Sequence, residues 1–146
     1  MFSLFALKLE SIIDNRKFKV LLSAICVFFG GAFGALSRFL ISELLCITKW
    51  GIPFTLIFIN FFGCLFMGIF SSLFELFDHS NSVKHFLLVG FLGGFTTLSS
   101  FSLEFFELIK NSQIFLGFLY VFLSIVLSLS GFYFGYALIK VAIKCW

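Results

Sequence analysis

The 146-residue sequence predicts an all-α integral membrane protein with four transmembrane helices, the third of them broken. Three observations lead there. The chain is 61% hydrophobic and 12% charged, with a mean hydropathy of +1.15, more apolar surface than a water-soluble domain of this length can hide. Its charges cluster and leave uncharged runs at residues 20–37, 51–74, 86–103 and 111–139, each long enough for a helix to cross a bilayer, which takes roughly 17–25 residues. Inside the third run, residues 93–102 read GGFTTLSSFS, with Gly, Ser or Thr at seven of ten positions, a poor composition for an unbroken helix.

Residues 1–19 read as an amphipathic arm ahead of a four-helix membrane domain at residues 20–146. Phe2, Phe5, Leu9, Ile12 and Ile13 recur at helical spacing, with Lys8, Glu10, Asp14, Arg16 and Lys17 between them, as in a helix lying on a membrane surface. A secretory signal would place its positive charges before an apolar core and a small-residue cleavage site after it. Here the first run continues into Gly30, Gly31, Gly34 and Arg38, so the arm is expected to be retained.

With four spans, one face collects Lys8, Arg16, Lys17, Lys19, Lys84, Lys140 and Lys144, and the other Arg38, Lys49 and Lys110. The positive-inside rule then places both termini in the cytoplasm of a multi-pass protein of the inner or plasma membrane. The net charge of +3 reflects this topology and anionic headgroups, and nucleic acid is not expected as a partner.

The first span carries Gly30 and Gly34, a spacing that admits another backbone closely, either for packing or for function. Arg38, at its end, either snorkels or supplies a fixed positive charge that concentrates an anion. The second span holds Asn60, whose amide must have partners, so it ties two helices together or faces a polar path; Gly63 and Gly68 thin the same helix. In the third span, a break at residues 93–97 would free carbonyls from their helical donors, and sodium, which takes oxygen ligands, would suit them. Phe101 follows, with a ring edge that can support a poorly hydrated anion without an opposite charge that would trap it. In the fourth span Tyr120, Ser124 and Ser128, four apart, put three hydroxyls on one stripe, and Gly131 and Gly135 form a packing groove.

The remaining polar residues narrow the function. Cys26, Cys46, Cys64 and Cys145 have no paired spacing and read as small apolar filler, and His79 and His85 read as loop residues. No phosphate loop, HExxH or GxSxG motif occurs, and the chain is not expected to be an enzyme. Glu43, Glu75, Glu104 and Glu107 fall at or beyond the ends of the uncharged runs. What the runs contain is hydroxyl, amide and aromatic, with a cation at one mouth, a set that favours a small hydrogen-bond acceptor such as an anion.

GGAFGALSR in the first span, NFFGCLFMG in the second, GGFTTLSSFS in the third and the hydroxyl stripe of the fourth resemble, in order, the Fluc or CrcB family of fluoride channels, from about Gly30 to Ile139. The resemblance implies an antiparallel, dual-topology dimer with two fluoride pores and a central structural sodium ion at the dimer interface. By position it implies sodium-binding carbonyls at Gly93 and Thr96, and a fluoride pathway through Asn60, Phe101, Tyr120, Ser124 and Ser128, with Arg38 at the vestibule.

Two departures stand out. Leu98 occupies a position where the family has a phenylalanine, and Leu56 one where it has a threonine, with Thr55 one step earlier. Both suit a specialised subunit, and the charge bias suggests pairing with an oppositely oriented paralogue rather than with a second copy. The expected activity is export of cytoplasmic fluoride by passive conduction, which lowers fluoride toxicity. A small multidrug-type dimeric carrier is the second reading, disfavoured by the lack of a membrane-embedded carboxylate. A structural membrane subunit is the third.

Overall fold

The protein was analysed as a computed structural model that describes residues 2–45, 47–49, 51–77 and 81–144, with side chains from Asp14 onward except that of Lys49. Helix α1 spans Phe2–Leu44. Two short strands follow, β1 (Thr48–Lys49) and β2 (Ile52–Pro53), then α2 (Phe54–Leu76) and the one-turn α3 (Asn81–Lys84). The third crossing continues as a π-helical segment, His85–Leu92, then α4 (Gly93–Phe95) and α5 (Ser99–Lys110). Helix α6 (Ile114–Lys144) is the last described element.

Among the described residues, four helical stretches are long and apolar enough to cross a membrane: Asp14–Leu44, Phe54–Leu76, Asn81–Lys110 and Ile114–Lys144. The all-α, four-span class expected from the sequence is therefore the observed one. The helices overrun the uncharged runs at most ends, because backbone hydrogen bonding is indifferent to the charge of long side chains that reach for water. One consequence corrects the sequence reading: Glu104 and Glu107 lie inside the third spanning helix, whereas Glu43 and Glu75 each fall one residue from the end of theirs, as expected. Helix α1 passes residues 19 and 20 without a break, so the arm extends the first span. Cys46, Cys145 and His79, and the side chains that form the apolar stripe of the arm, lie outside the described residues.

Two glycine seams set the packing. A Cβ on Gly30 or Gly34 would strike the backbone carbonyl of Phe86 or Phe91, and one on Gly94 would come within 2.7 Å of the Gly31 carbonyl oxygen. The first span thus lies backbone to backbone against the third. In the second seam a Cβ on Gly68 would strike the Phe132 carbonyl, and one on Gly135 the Leu65 carbonyl, which joins α2 to α6. The glycine pair in the first span is a packing device, as in other close helix pairs in membranes. Outside the seams the helices present large apolar side chains outward, Phe28, Phe115, Phe118 and Tyr133 among them, as a lipid-facing surface does.

The buried cluster sits where α2, α5 and α6 meet, built from Ile52, Ile57, Phe101, Leu108 and Tyr120. The strands were not foreseen. They pair antiparallel, Thr48 opposite Pro53 and Lys49 opposite Ile52, with Gly51 at φ 81°, a left-handed conformation that suits glycine. The Thr55 hydroxyl clamps this connection: it accepts the Ile47 N–H at 2.9 Å and donates to the Leu45 carbonyl. Thr55 is therefore taken up by the loop.

The seams make a contrast testable. Gly68→Val forces a methyl group into the Phe132 carbonyl and is expected to destabilise the fold by about 1–3 kcal/mol or more, as overpacking does. Gly31→Ala, whose Cβ would have its nearest neighbour at 3.9 Å, is expected to be neutral. Thermal unfolding of the purified variants in detergent checks both, and equal midpoints would contradict the packing.

Candidate functional site

The site begins with one residue in extended conformation. Thr96 has φ −80° and ψ 148°, which ends α4 and lifts the chain out of the helix until Ser99. Residues 93–95 remain helical, so the interruption falls at Thr96–Leu98, toward the end of the expected stretch. Thr96 keeps its own tie to the preceding turn, since both its N–H and its hydroxyl donate to the Leu92 carbonyl at 3.0 Å. The Thr97 N–H turns away. In a continuous helix it would bond the Gly93 carbonyl; here it donates to Asn60 Oδ1 at 3.0 Å. The Asn60 Nδ2 returns a longer bond, 3.4 Å, to the Thr97 carbonyl.

Asn60 thus grips both polar groups of one peptide residue in the break, and α2 and the third span are joined by a side-chain amide acting as a strand neighbour would. This satisfies the glue reading of Asn60. Gly63, one turn further along α2, provides the space: a Cβ there would collide with the Thr96 methyl group. On the far side of the break Thr97 starts the next helix. Its hydroxyl accepts the Ser100 N–H at 3.3 Å and lies 3.0 Å from the Ser99 hydroxyl, as a capping residue does. Sequence reasoning assigned a role to Thr96 and missed Thr97; a threonine three residues before a first-turn N–H was the signal.

Beside the break lies an open groove of about 480 Å³. Its lining includes Asn60, Gly93, Thr96, Leu98, Phe101, Ser124 and Ser128, so the fold gathers residues from three spans that the sequence reading singled out separately. Cys64 and Thr97 also line it, and no ionisable carboxylate, lysine or arginine does. The Ser124 hydroxyl is buried without a hydrogen-bond partner among the described residues. Leu98 is 75% exposed at the rim, while Phe101 is nearly covered. One face of the Phe101 ring stacks on Tyr120, centroids 5.1 Å apart at 25° between planes.

Two of the expected residues stand apart from this lining. Tyr120 is fully buried behind Phe101, and its hydroxyl donates to Glu104 Oε2 at 2.7 Å. Glu104 is six residues, about 9 Å at 1.5 Å per residue, from the end of α5. Arg38 reaches the start of α5 instead, its Nη1 donating to Ser100 Oγ at 3.3 Å while its Nε is buried without a partner among the described residues. Arg38 and Asn60 therefore hold the two sides of the same break.

The donor set at the break also bears on sodium. Turning the Thr97 N–H to Asn60 leaves the Gly93 carbonyl without its helical donor, and Gly93 is exposed on the surface of the single chain. Neutral carbonyl oxygens at the end of a helical turn fit a hard cation. Among the described residues no group of three His, Cys, Asp or Glu side chains comes together.

Residues 25–136 match the family described as CrcB-like protein, Camphor Resistance (CrcB). The chain belongs to this family. A protein of Francisella tularensis subsp. tularensis (strain FSC 198) named Fluoride-specific ion channel FluC is 35% identical over 115 residues, 75% of this chain and 88% of the relative. A Desulfotalea psychrophila protein of the same name is 40% identical over 106 residues, covering 73% and 83%. A third, from Rhizobium johnstonii, is 34% identical over 122 residues, covering 82% and 98%. The shared region of this CrcB-family chain contains both glycine seams, the break and the groove.

Replacing Asn60 by leucine orphans the Thr97 N–H and C=O, a loss worth about 1–3 kcal/mol. Amide exchange at Thr97 in Asn60→Leu is expected to speed up roughly tenfold or more while exchange in α6 stays unchanged. Equal exchange at Thr97 in both proteins would show that the amide does not hold the break.

Proposed function

We propose that the protein is a fluoride-selective channel that exports cytoplasmic fluoride by passive conduction. The groove carries the reading: an amide, hydroxyls and an aromatic ring line it, the buried Ser124 hydroxyl among them, and no charged side chain does. Fluoride is a compact acceptor of hydrogen bonds and meets such donors well. With no lysine or arginine side chain in the lining to pair with it, fluoride can also leave, as conduction requires. The relatives named as fluoride-specific channels support the same substrate.

In this reading Asn60 offers its second N–H, Ser124 and Ser128 their hydroxyls and Phe101 its ring edge along the path. Tyr120 holds Phe101 in place through the stack, and Arg38 concentrates fluoride near the mouth. HF crosses membranes as a neutral acid and releases fluoride in the cytoplasm, where the anion is stranded. A selective pore lets the potential drive it out, a force of about 2.3 kcal/mol per charge per 100 mV. The Gly93 and Thr96 carbonyls would hold a sodium ion, which would supply fixed positive charge and brace the break when bound. Gly93 and the rim residue Leu98 are exposed, so a second, oppositely oriented chain would complete both the cation site and the pore wall. That chain is a paralogue of opposite charge bias or a second copy. The protein is a multi-pass protein of the inner or plasma membrane with both termini facing the cytoplasm, by the lysine and arginine bias.

Vesicles loaded with potassium fluoride and monitored with a fluoride electrode test the proposal. The chain with its partner is expected to release fluoride, to reject chloride, and to be indifferent to an imposed proton gradient. Asn60→Leu and Phe101→Ala are each expected to lower the flux tenfold or more in protein that still assembles. Proton-driven uptake would instead support a carrier, and unchanged flux in both variants would remove these residues from the pathway.

A further inference from the structure

A second groove, about 760 Å³, lies away from the break, between the N-terminal part of α1 and the start of the third span. Arg16 and Lys19 line it from α1, and Asn81, Ser82 and His85 from the opposite wall. The one ion pair among the described residues joins Lys140 to Glu75, so neither Arg16 nor Lys19 has a described carboxylate within 4.0 Å. The His85 Nδ1 is buried and unpaired among the described residues. The apolar side chains of Phe18, Val20 and Leu22 continue the lining.

The glycine seam sets the depth of this groove. Gly90 meets Gly30 backbone to backbone, with a Cβ on Gly90 placed 2.9 Å from the Gly30 Cα. Gly30 falls near the middle of the first uncharged run. Lys19 and Asn81 precede these glycines by roughly 16 and 14 Å at 1.5 Å per residue. Half the hydrocarbon thickness is about 15 Å. Lys19 and Asn81, with Arg16 further out, therefore stand at headgroup level, while His85, about 8 Å from Gly90, and the side chains of Val20 and Leu22 lie on the acyl side.

We infer that this groove binds an anionic phospholipid, its phosphodiester between Arg16, Lys19, Asn81 and Ser82 and an acyl chain along Val20 and Leu22. A free anion would answer the charges and leave the apolar wall wet, whereas a lipid covers both. The binding does not depend on the fluoride pathway, which is lined by other residues.

Native mass spectrometry of the full chain, released from neutral detergent containing equal phosphatidylglycerol and phosphatidylcholine, reads the retained lipid. The wild type is expected to keep phosphatidylglycerol over phosphatidylcholine by tenfold or more. The R16Q/K19Q variant should fall below threefold, and K110Q/K144Q should keep the wild-type preference. The single variants R16Q and K19Q should fall in between, so the comparison survives poor recovery of the double variant. Equal retention of both lipids by the wild type, an unchanged R16Q/K19Q preference, or an equal loss in K110Q/K144Q would overturn the site. So would displacement of the lipid by a tenfold excess of inorganic phosphate. Fluoride flux measured on the same variants separates the two proposals, since it should persist where the lipid preference is lost.

Discussion

Backbone groups at membrane depth have no water to turn to, so a span can be interrupted only where other protein atoms take over the bonds that the helix gives up. In this protein the amide of Asn60 does that for Thr97, accepting its N–H and donating to its carbonyl. Few side chains can do both, since the exchange needs one donor and one acceptor on a planar group. The rest of the site follows from that match. The Gly93 carbonyl loses its donor, α5 restarts at Ser99 on the hydroxyl of Thr97, and Phe101 is delivered to the wall of the groove.

The glycine seams make the match possible without contributing polar groups themselves. Asn60 can reach the break only because Gly63 lets the Thr96 methyl group settle on α2. The seam between the first and third spans fixes the half of the third crossing that precedes the break, and the seam between α2 and α6 fixes the helix that carries Ser124 and Ser128. Dispersion at close backbone contact, rather than the hydrophobic effect, is what holds such pairs in lipid. The groove is thus framed on opposite sides by rigid contacts, and the one non-helical stretch among the described spans, Thr96–Leu98, belongs to its lining.

Much of this was legible in the sequence. The four spans and the location of the break within a few residues follow from charge spacing and from the small-residue content of residues 93–102, both local properties. The two readings left open for Asn60 turn out to be compatible, since an amide that ties α2 to Thr97 also borders the groove. What could not be read are the pairings that join distant segments. Arg38 meets Ser100, sixty-two residues on, and Tyr120 meets Glu104, a carboxylate that the charge pattern places at or beyond the end of its span. The clamp by Thr55 on residues 45–47 was hidden for another reason: a threonine at a helix start gives the same signal whether it caps a helix or closes a loop.

The family match covers residues 25–136, which takes in most of the four spans and the Asn81–His85 wall of the basic groove but not Arg16 and Lys19. The channel reading and the lipid reading therefore rest on different side chains. Both assume the same scaffold, and that scaffold stands or falls with the interrupted third span. An experimental density map of the protein in a lipid environment, clear enough to place carbonyl oxygens, tests it most directly. The account predicts an interruption at Thr96–Leu98 with the Asn60 amide against the Thr97 peptide. A helix continuous from Asn81 to Lys110, with the Thr97 N–H on the Gly93 carbonyl, would contradict it.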